Sequence, residues 1–414
     1  MAVIELGEPE PEPPVREEWR PRPLLCAVLA LLTLFAVTGS ARPRPPAGGD
    51  LLWSAPSGLD DLVSLDGDTV YQQRTGEQSD LVLYDLATGA RRWSTSDAVF
   101  DRFLAAGPVL LLIAERQAGR SDGVVTARGT ADGRTLWQRP GTALAQDRGV
   151  ALLAGYDADG RAVRLSQVRL TDGVPVWSRA VAPADDVQVE YRTDGTPGRI
   201  VAAVDGRIDL YRWADGTLDS SGRLPIRALD IVFAYDGRLQ TSSGAEFRFF
   251  DLGDFRDLGD FGGATVAQVV PCATLICRIG AGGAVAIDPA TGREVWQHPE
   301  ANGIDLATTG RVLLTDPDGL TRTLADATTG RVLASRVPGT IARAYLAEPG
   351  SVLLLHATRS PDRRTAAIRL DLATGAWRLL GLLPPIADPH SCTTAGSVLL
   401  CQDNDRMFAL AVPG

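Results

Sequence analysis

Residues 284–296 read AVAIDPATGREVW, and residues 81–93 read LVLYDLATGARRW. Each is an apolar run with strand character, an Asp/Thr/Gly turn, and a second run that reaches a tryptophan four positions after the glycine. An Asp or Thr ahead of Gly lets the backbone enter positive φ, as tight antiparallel connections require. The phrase therefore predicts two paired strands. Working outward, it recurs as VVTARGTADGRTLW at 124–137 and QVRLTDGVPVW at 167–177. Weaker copies are IDLYRWADGTLDS at 208–220, EFRFFDLGDFRD at 246–257, TRTLADATTGRVLA at 321–334 and AAIRLDLATGAWRL at 366–379. The turn glycines Gly89, Gly133, Gly173, Gly216, Gly253, Gly292, Gly330 and Gly375 follow one another at steps of 44, 40, 43, 37, 39, 38 and 45 residues.

A period near 40 residues built from short strands is the signature of propeller blades. Upstream of most turns lies another β-rich run, such as Val109-Leu110-Leu111-Leu112-Ile113 or Val352-Leu353-Leu354-Leu355. Four strands per unit account for the spacing. Tryptophan holds its place in four copies, as Trp93, Trp137, Trp177 and Trp296; it is shifted at Trp377 and replaced by Ser220, Asp257 and Ala334. Packing between blades is the expected role of these indoles, and hydrogen bonding within the turn that of the aspartates.

The ends of the repeat are complementary. The last unit runs through Met407-Phe408-Ala409-Leu410-Ala411-Val412 and stops before its tryptophan-bearing strand, whereas Leu51-Leu52-Trp53 precedes the first full unit, 40 residues before Trp93. Residues 51–54 are thus expected to complete the final blade and close the ring, which removes an open sheet edge. Eight glycine units plus the composite one give nine. The unit around Gly253, with Asp-Leu-Gly-Asp-Phe at 251–255 duplicated at 257–261, reads as an elaboration of its neighbour and brings the expected number to eight, with nine as the alternative.

Ahead of the repeat, residues 1–22 are polar, acidic and proline-rich, and read as a disordered cytoplasmic tail. Residues 23–41 carry no charge and would rise about 28 Å as a helix, near the hydrocarbon thickness of a bilayer. They predict a transmembrane signal-anchor helix, with processing after Gly39-Ser40-Ala41 as the alternative. Residues 42–50 read as a linker and 51–414 as the propeller. The chain is then expected at the plasma membrane as a single-pass protein, with its propeller on the extracytoplasmic side.

The five cysteines include two local pairs, Cys272 with Cys277 and Cys392 with Cys401, each readable as a disulfide or as two buried thiols. The histidines His298, His356 and His390 have no metal-ligand spacing. A formal charge of −10, with every basic residue an arginine, offers no general attraction to a nucleic acid backbone. No catalytic, cofactor-binding or metal-binding residue is assigned, and no cofactor is expected.

The Asp-x-x-Thr-Gly phrase and its following tryptophan, as in Asp85 to Trp93 and Asp288 to Trp296, resemble the pyrroloquinoline-quinone-like propeller repeats. The resemblance covers roughly residues 50–414. The family includes quinone-dependent dehydrogenases and non-enzymatic propellers, and the length resembles the second branch. The adjacent cysteines typical of quinoprotein alcohol dehydrogenases are absent, and the only asparagines are Asn302 and Asn404. The resemblance implies a non-catalytic binding or scaffolding propeller whose partners are other membrane or cell-envelope proteins, with no nucleic acid. The alternatives are a quinone-dependent oxidoreductase and a propeller that senses a small ligand or glycan.

Overall fold

In a computed structural model the chain is described over residues 49–412, apart from 75–79, 97–99, 115–122, 193, 227–229, 244–245, 264, 309, 345–349 and 360–362. The described residues are almost entirely strands connected by tight turns, with one three-residue 3-10 turn at Pro389–Ser391. Four-stranded antiparallel meanders follow one another along the chain: blade 1 spans 62–95, blade 2 102–140, blade 3 142–184 and blade 4 186–223. Blade 5 spans 231–260, blade 6 268–298, blade 7 303–338 and blade 8 340–383. Blade 9 combines three strands within 392–411 with Leu51–Pro56, which pairs antiparallel with Arg406–Ala411 and sets Trp53 opposite Ala409. The expected closure by an N-terminal strand is thus what the register shows.

Second strands such as Val109–Ala114 are buried almost throughout because a neighbouring blade covers each face, so they read as unbroken apolar runs. Fourth strands such as Thr135–Pro140 and Glu294–His298 are mostly exposed apart from the tryptophan. First strands of neighbouring blades approach one another around the axis. Two pairs of them hydrogen-bond in parallel: Glu190 and Tyr191 with Ala234 and Tyr235, and Arg343 and Ala344 with Thr393 and Thr394.

The first of these pairings decides how the blades are counted. Among the described residues, hydrogen bonds define eight sheets, one of which has eight strands and consists of the complete meanders of blades 4 and 5. Side-chain packing instead resolves nine clusters, each shared by two consecutive four-stranded units. One joins Val201, Ile208 and Leu210 of blade 4 to Leu239 and Phe250 of blade 5. Another closes the ring with Leu400 and Met407 against Leu65 and Val70. The expected eight corresponds to sheets, and nine to packed meanders. The unit around Gly253 is a full meander fused to its neighbour.

Both cysteine pairs are disulfides, Cys272–Cys277 with Cα atoms 5.8 Å apart and Cys392–Cys401 with 4.0 Å. Each staples the first two strands of its blade, within the apolar packing against the preceding or following blade.

One part of the expected architecture is corrected. No helix among the described residues is long and apolar enough to cross a membrane. Residues 23–41, where the transmembrane helix was expected, lie outside the described residues, as do residues 1–22 and most of 42–50. Over the described residues the fold class is therefore an all-β propeller, with no transmembrane helix among them. The single-pass plasma-membrane placement that rested on that helix is withdrawn with it.

Candidate binding surface

The repeat has a mechanical meaning. In blades 9, 1, 2 and 6 the indole of the fourth strand lies against the turn glycine of the next blade and donates its N–H to the carbonyl three residues before that glycine. Trp53 donates to Leu86 at 2.7 Å, Trp93 to Thr130 at 2.9 Å, Trp137 to Leu170 at 2.7 Å and Trp296 to Ala327 at 2.9 Å. A Cβ added at Gly89, Gly133, Gly173 or Gly330 would fall 2.4 to 2.8 Å from that ring. These glycines are therefore required twice, for positive φ and for the indole above them. Asp85 fixes the turn by accepting from the amide of Thr88 at 3.0 Å and its hydroxyl at 2.8 Å, and Asp326 and Asp371 do the same in theirs.

The pattern fails at blades 7 and 8, where Ala334 replaces the indole and Trp377 is shifted and exposed, and over the longer arc of blades 3 to 5. Trp177 lies on Gly216 through its six-membered ring, and its buried N–H has no hydrogen-bond partner among the described residues. The carbonyl it would reach, that of Trp213, instead accepts from Gln167 at 3.3 Å. Ser220 and Asp257 then stand where blades 4 and 5 would carry an indole. Gly292, facing the position lost at Asp257, has open space where the Cβ would be.

A different device holds this arc. Glu190 carries a buried carboxylate, its side chain 5% exposed, paired with Arg199 at 2.5 and 3.2 Å. It also accepts from the amide of Gly237 in blade 5 at 2.5 Å, while Arg199 donates to the Leu252 carbonyl at 3.4 Å. Charge-assisted bonds across the seam thus replace an apolar staple. The carboxylate beside it holds the Arg199 guanidinium above its usual value.

The seam opens into a cleft of about 700 Å³ at the end of the ring that carries the Asp/Gly turns. Its rim bears Arg148, Arg192 and Arg212 together with Asp147, Asp194, Asp219 and Asp236. Arg212 is engaged by Asp215 at 3.1 Å, and Asp194 by Thr196 at 2.6 Å. The groups whose protonation is altered chiefly by burial also gather on blades 4 and 5. Desolvation raises Asp186, Tyr191, Tyr211 and Tyr235 and lowers Arg238. Gln188 partly offsets the effect at Asp186 through a 3.2 Å hydrogen bond. Such clustering marks a candidate site.

A second cavity, of about 280 Å³, lies beside the first at the mouth of the central channel, between the first strands of blades 5, 6 and 7. Phe233, Tyr235, Val270, Pro271 and Leu306 form its apolar walls, and Gln268 and Asp305 supply polar atoms. Gln268 clasps the first strands of blades 6 and 7, donating to the Ile304 carbonyl at 3.0 Å and accepting from the Ile304 amide at 3.2 Å. Asp305 is the extra residue of a bulge between Ile304 and Leu306. It is held by the Thr315 hydroxyl at 3.1 Å and by the guanidinium of Arg322, a side chain only 2% exposed.

Sequence reasoning named none of these residues as a site. The available signal was the loss of tryptophan in the two consecutive copies at Ser220 and Asp257, against a single loss at Ala334, which marks the altered arc. Among the described residues no group of three or more metal-ligating side chains is present.

No curated protein sequence matches the chain. Among solved structures, BamB from Moraxella catarrhalis is 16% identical, with 80% of this chain and 97% of that one covered and a TM-score of 0.38. A europium-containing methanol dehydrogenase is 12% identical over 88% and 93% of the two chains, with a TM-score of 0.38. A computationally designed protein, Ika8, is 13% identical over 81% and 99%, with a TM-score of 0.40. These likenesses carry no argument about chemistry. The sequence profile described as outer membrane protein assembly factor BamB matches residues 41–215, less than half of the chain.

Proposed function

We propose that the chain is a non-catalytic propeller that binds another cell-envelope protein through the charged cleft of blades 3 to 5. The observation that carries this reading is the Glu190–Arg199 seam, where the ring exchanges its tryptophan staple for ion pairs and opens the cleft. Rim charges of both signs suit an extended segment of mixed charge, because complementary patterns favour one register and penalise others. The similarity to the BamB profile supports an envelope partner, and two disulfides suit an oxidising compartment. The quinone-dependent alternative has no comparable support, since the arc that departs from the repeat holds ion pairs and turn carboxylates with structural partners.

The test is site-specific photocrosslinking in intact cells, with the crosslinker at Arg192 in the cleft or at Leu320 on the opposite end of the ring. The reading expects one reproducible partner from position 192 alone, lost when Arg148→Glu and Arg212→Glu are introduced. Equal capture from both positions, or none from 192, would overturn it.

A further inference from the structure

The two cavities are continuous along the chain: Tyr235 lines the channel-mouth pocket, and the next residue, Asp236, lines the charged cleft. Resting on the protein-binding reading above, we infer that the pocket is an anchor subsite for one tyrosine or tryptophan side chain of the segment that occupies the cleft.

Charge and shape select that occupant. Phe233 and Tyr235 on one side and Val270, Pro271 and Leu306 on the other make an apolar slot whose volume, about 280 Å³, suits a single ring system. At its edge the bulge in blade 7 turns Asp305 toward Thr315 and Arg322. Bulges re-aim side chains in this way beside binding sites. A carboxylate has roughly four lone-pair positions, and Thr315 and Arg322 occupy two. Acceptor capacity therefore remains.

The pocket is nonetheless close to electrically neutral. Arg322, which does not line the pocket, is a buried partner of Asp305, its Nη1 donating to the carbonyls of Gly319 at 3.0 Å and Thr321 at 3.1 Å. A cationic anchor would find the charge of Asp305 already compensated by Arg322, and an anionic one would meet the Asp305 carboxylate. A neutral ring bearing one O–H or N–H donor satisfies both the walls and the acceptor. Tyrosine and tryptophan are the side chains of that kind, and such residues seated in pockets dominate many protein interfaces.

The pocket is tested on the full-length chain with side-chain analogues in ligand-observed NMR titrations: 4-methylphenol, 3-methylindole, toluene, benzylammonium and N-acetylglucosamine. The inference expects saturable binding of the first two and about tenfold weaker binding of toluene and benzylammonium, the loss of one good hydrogen bond. Phe233→Ala, which removes a wall, and Ala307→Leu, which fills space, should each weaken 4-methylphenol by about tenfold with the thermal midpoint retained. Toluene binding as tightly as 4-methylphenol, preference for N-acetylglucosamine, or insensitivity to both variants would overturn the subsite. Crosslinking from position 192 is then repeated in Phe233→Ala. Undiminished capture would remove the anchor role and leave the cleft reading standing, whereas absence of capture in the wild type defeats the cleft reading itself.

Discussion

The indole of Trp93 lies so close over Gly133 of the following blade that a Cβ on Gly133 would fall 2.7 Å from its Cδ2 atom. Gly292 has almost the same backbone, φ 67° against 69°, yet no neighbour within 4 Å of that position. The two glycines separate the cost of conformation from the cost of packing. Gly292→Ala should lose about 1 kcal/mol, the price of a left-handed alanine. Gly133→Ala must also displace a ring and should lose at least about 2 kcal/mol. Urea denaturation of the two variants checks the difference, and equal losses would show that the indole yields freely.

The Glu190–Arg199 pair makes a prediction of coupling. Glu190 is buried and bonded both to Arg199 and to Gly237. Replacing one partner leaves the other charge uncompensated at the seam, so Arg199→Met should lose about 3 kcal/mol. Adding Glu190→Gln removes the stranded carboxylate and should recover part of that loss. A double-mutant cycle measures the coupling, and additive losses would mean that the two side chains act independently.

Acid should loosen the turns before it reaches the core. The Asp85 carboxyl sits at about 2, first because Arg92 hydrogen-bonds it at 2.9 Å and then because Thr88 donates to it. Its folded value lies below the unfolded value of about 3.9. The stabilisation is therefore present in full above about pH 4 and is lost as pH falls through about 2. The urea midpoint of the native chain should decline over that window more steeply than that of Asp85→Asn. Parallel curves would dismiss the contribution of this turn.

The blades were legible because their signals are local. Asp, Gly and Trp lie within nine residues of one another in each good copy, and the turn chemistry states the hairpin directly. Ring closure could be read because the missing strand after Val412 and the surplus strand at Leu51 complement each other. The Gly253 meander was harder to read, since its duplicated Asp-Leu-Gly-Asp-Phe phrase hides one full hairpin and its pairing partner, Tyr191 opposite Tyr235, lies far back in the chain. The cleft was illegible for the same reason. Glu190 reaches Gly237 across 47 residues, and no spacing rule connects a charged pair on one blade to a turn amide on the next. Only the consecutive missing indoles at Ser220 and Asp257 pointed toward the place.

Blade 9 also imposes an order of events. Its outer strand, Leu51–Pro56, leaves a ribosome ahead of blades 1 to 8, and its partner, Arg406–Ala411, leaves after them. Blades 1 to 8 can form in sequence from neighbouring hairpins, each with short loops to close. The ring cannot seal until Arg406–Ala411 arrives and recruits a segment that has waited unpaired while blades 1 to 8 were made. Refolding should therefore divide into fast local steps and one slow, long-range step. Until that step occurs, the exposed strands at either end remain the places where one copy of the chain could mistakenly complete another.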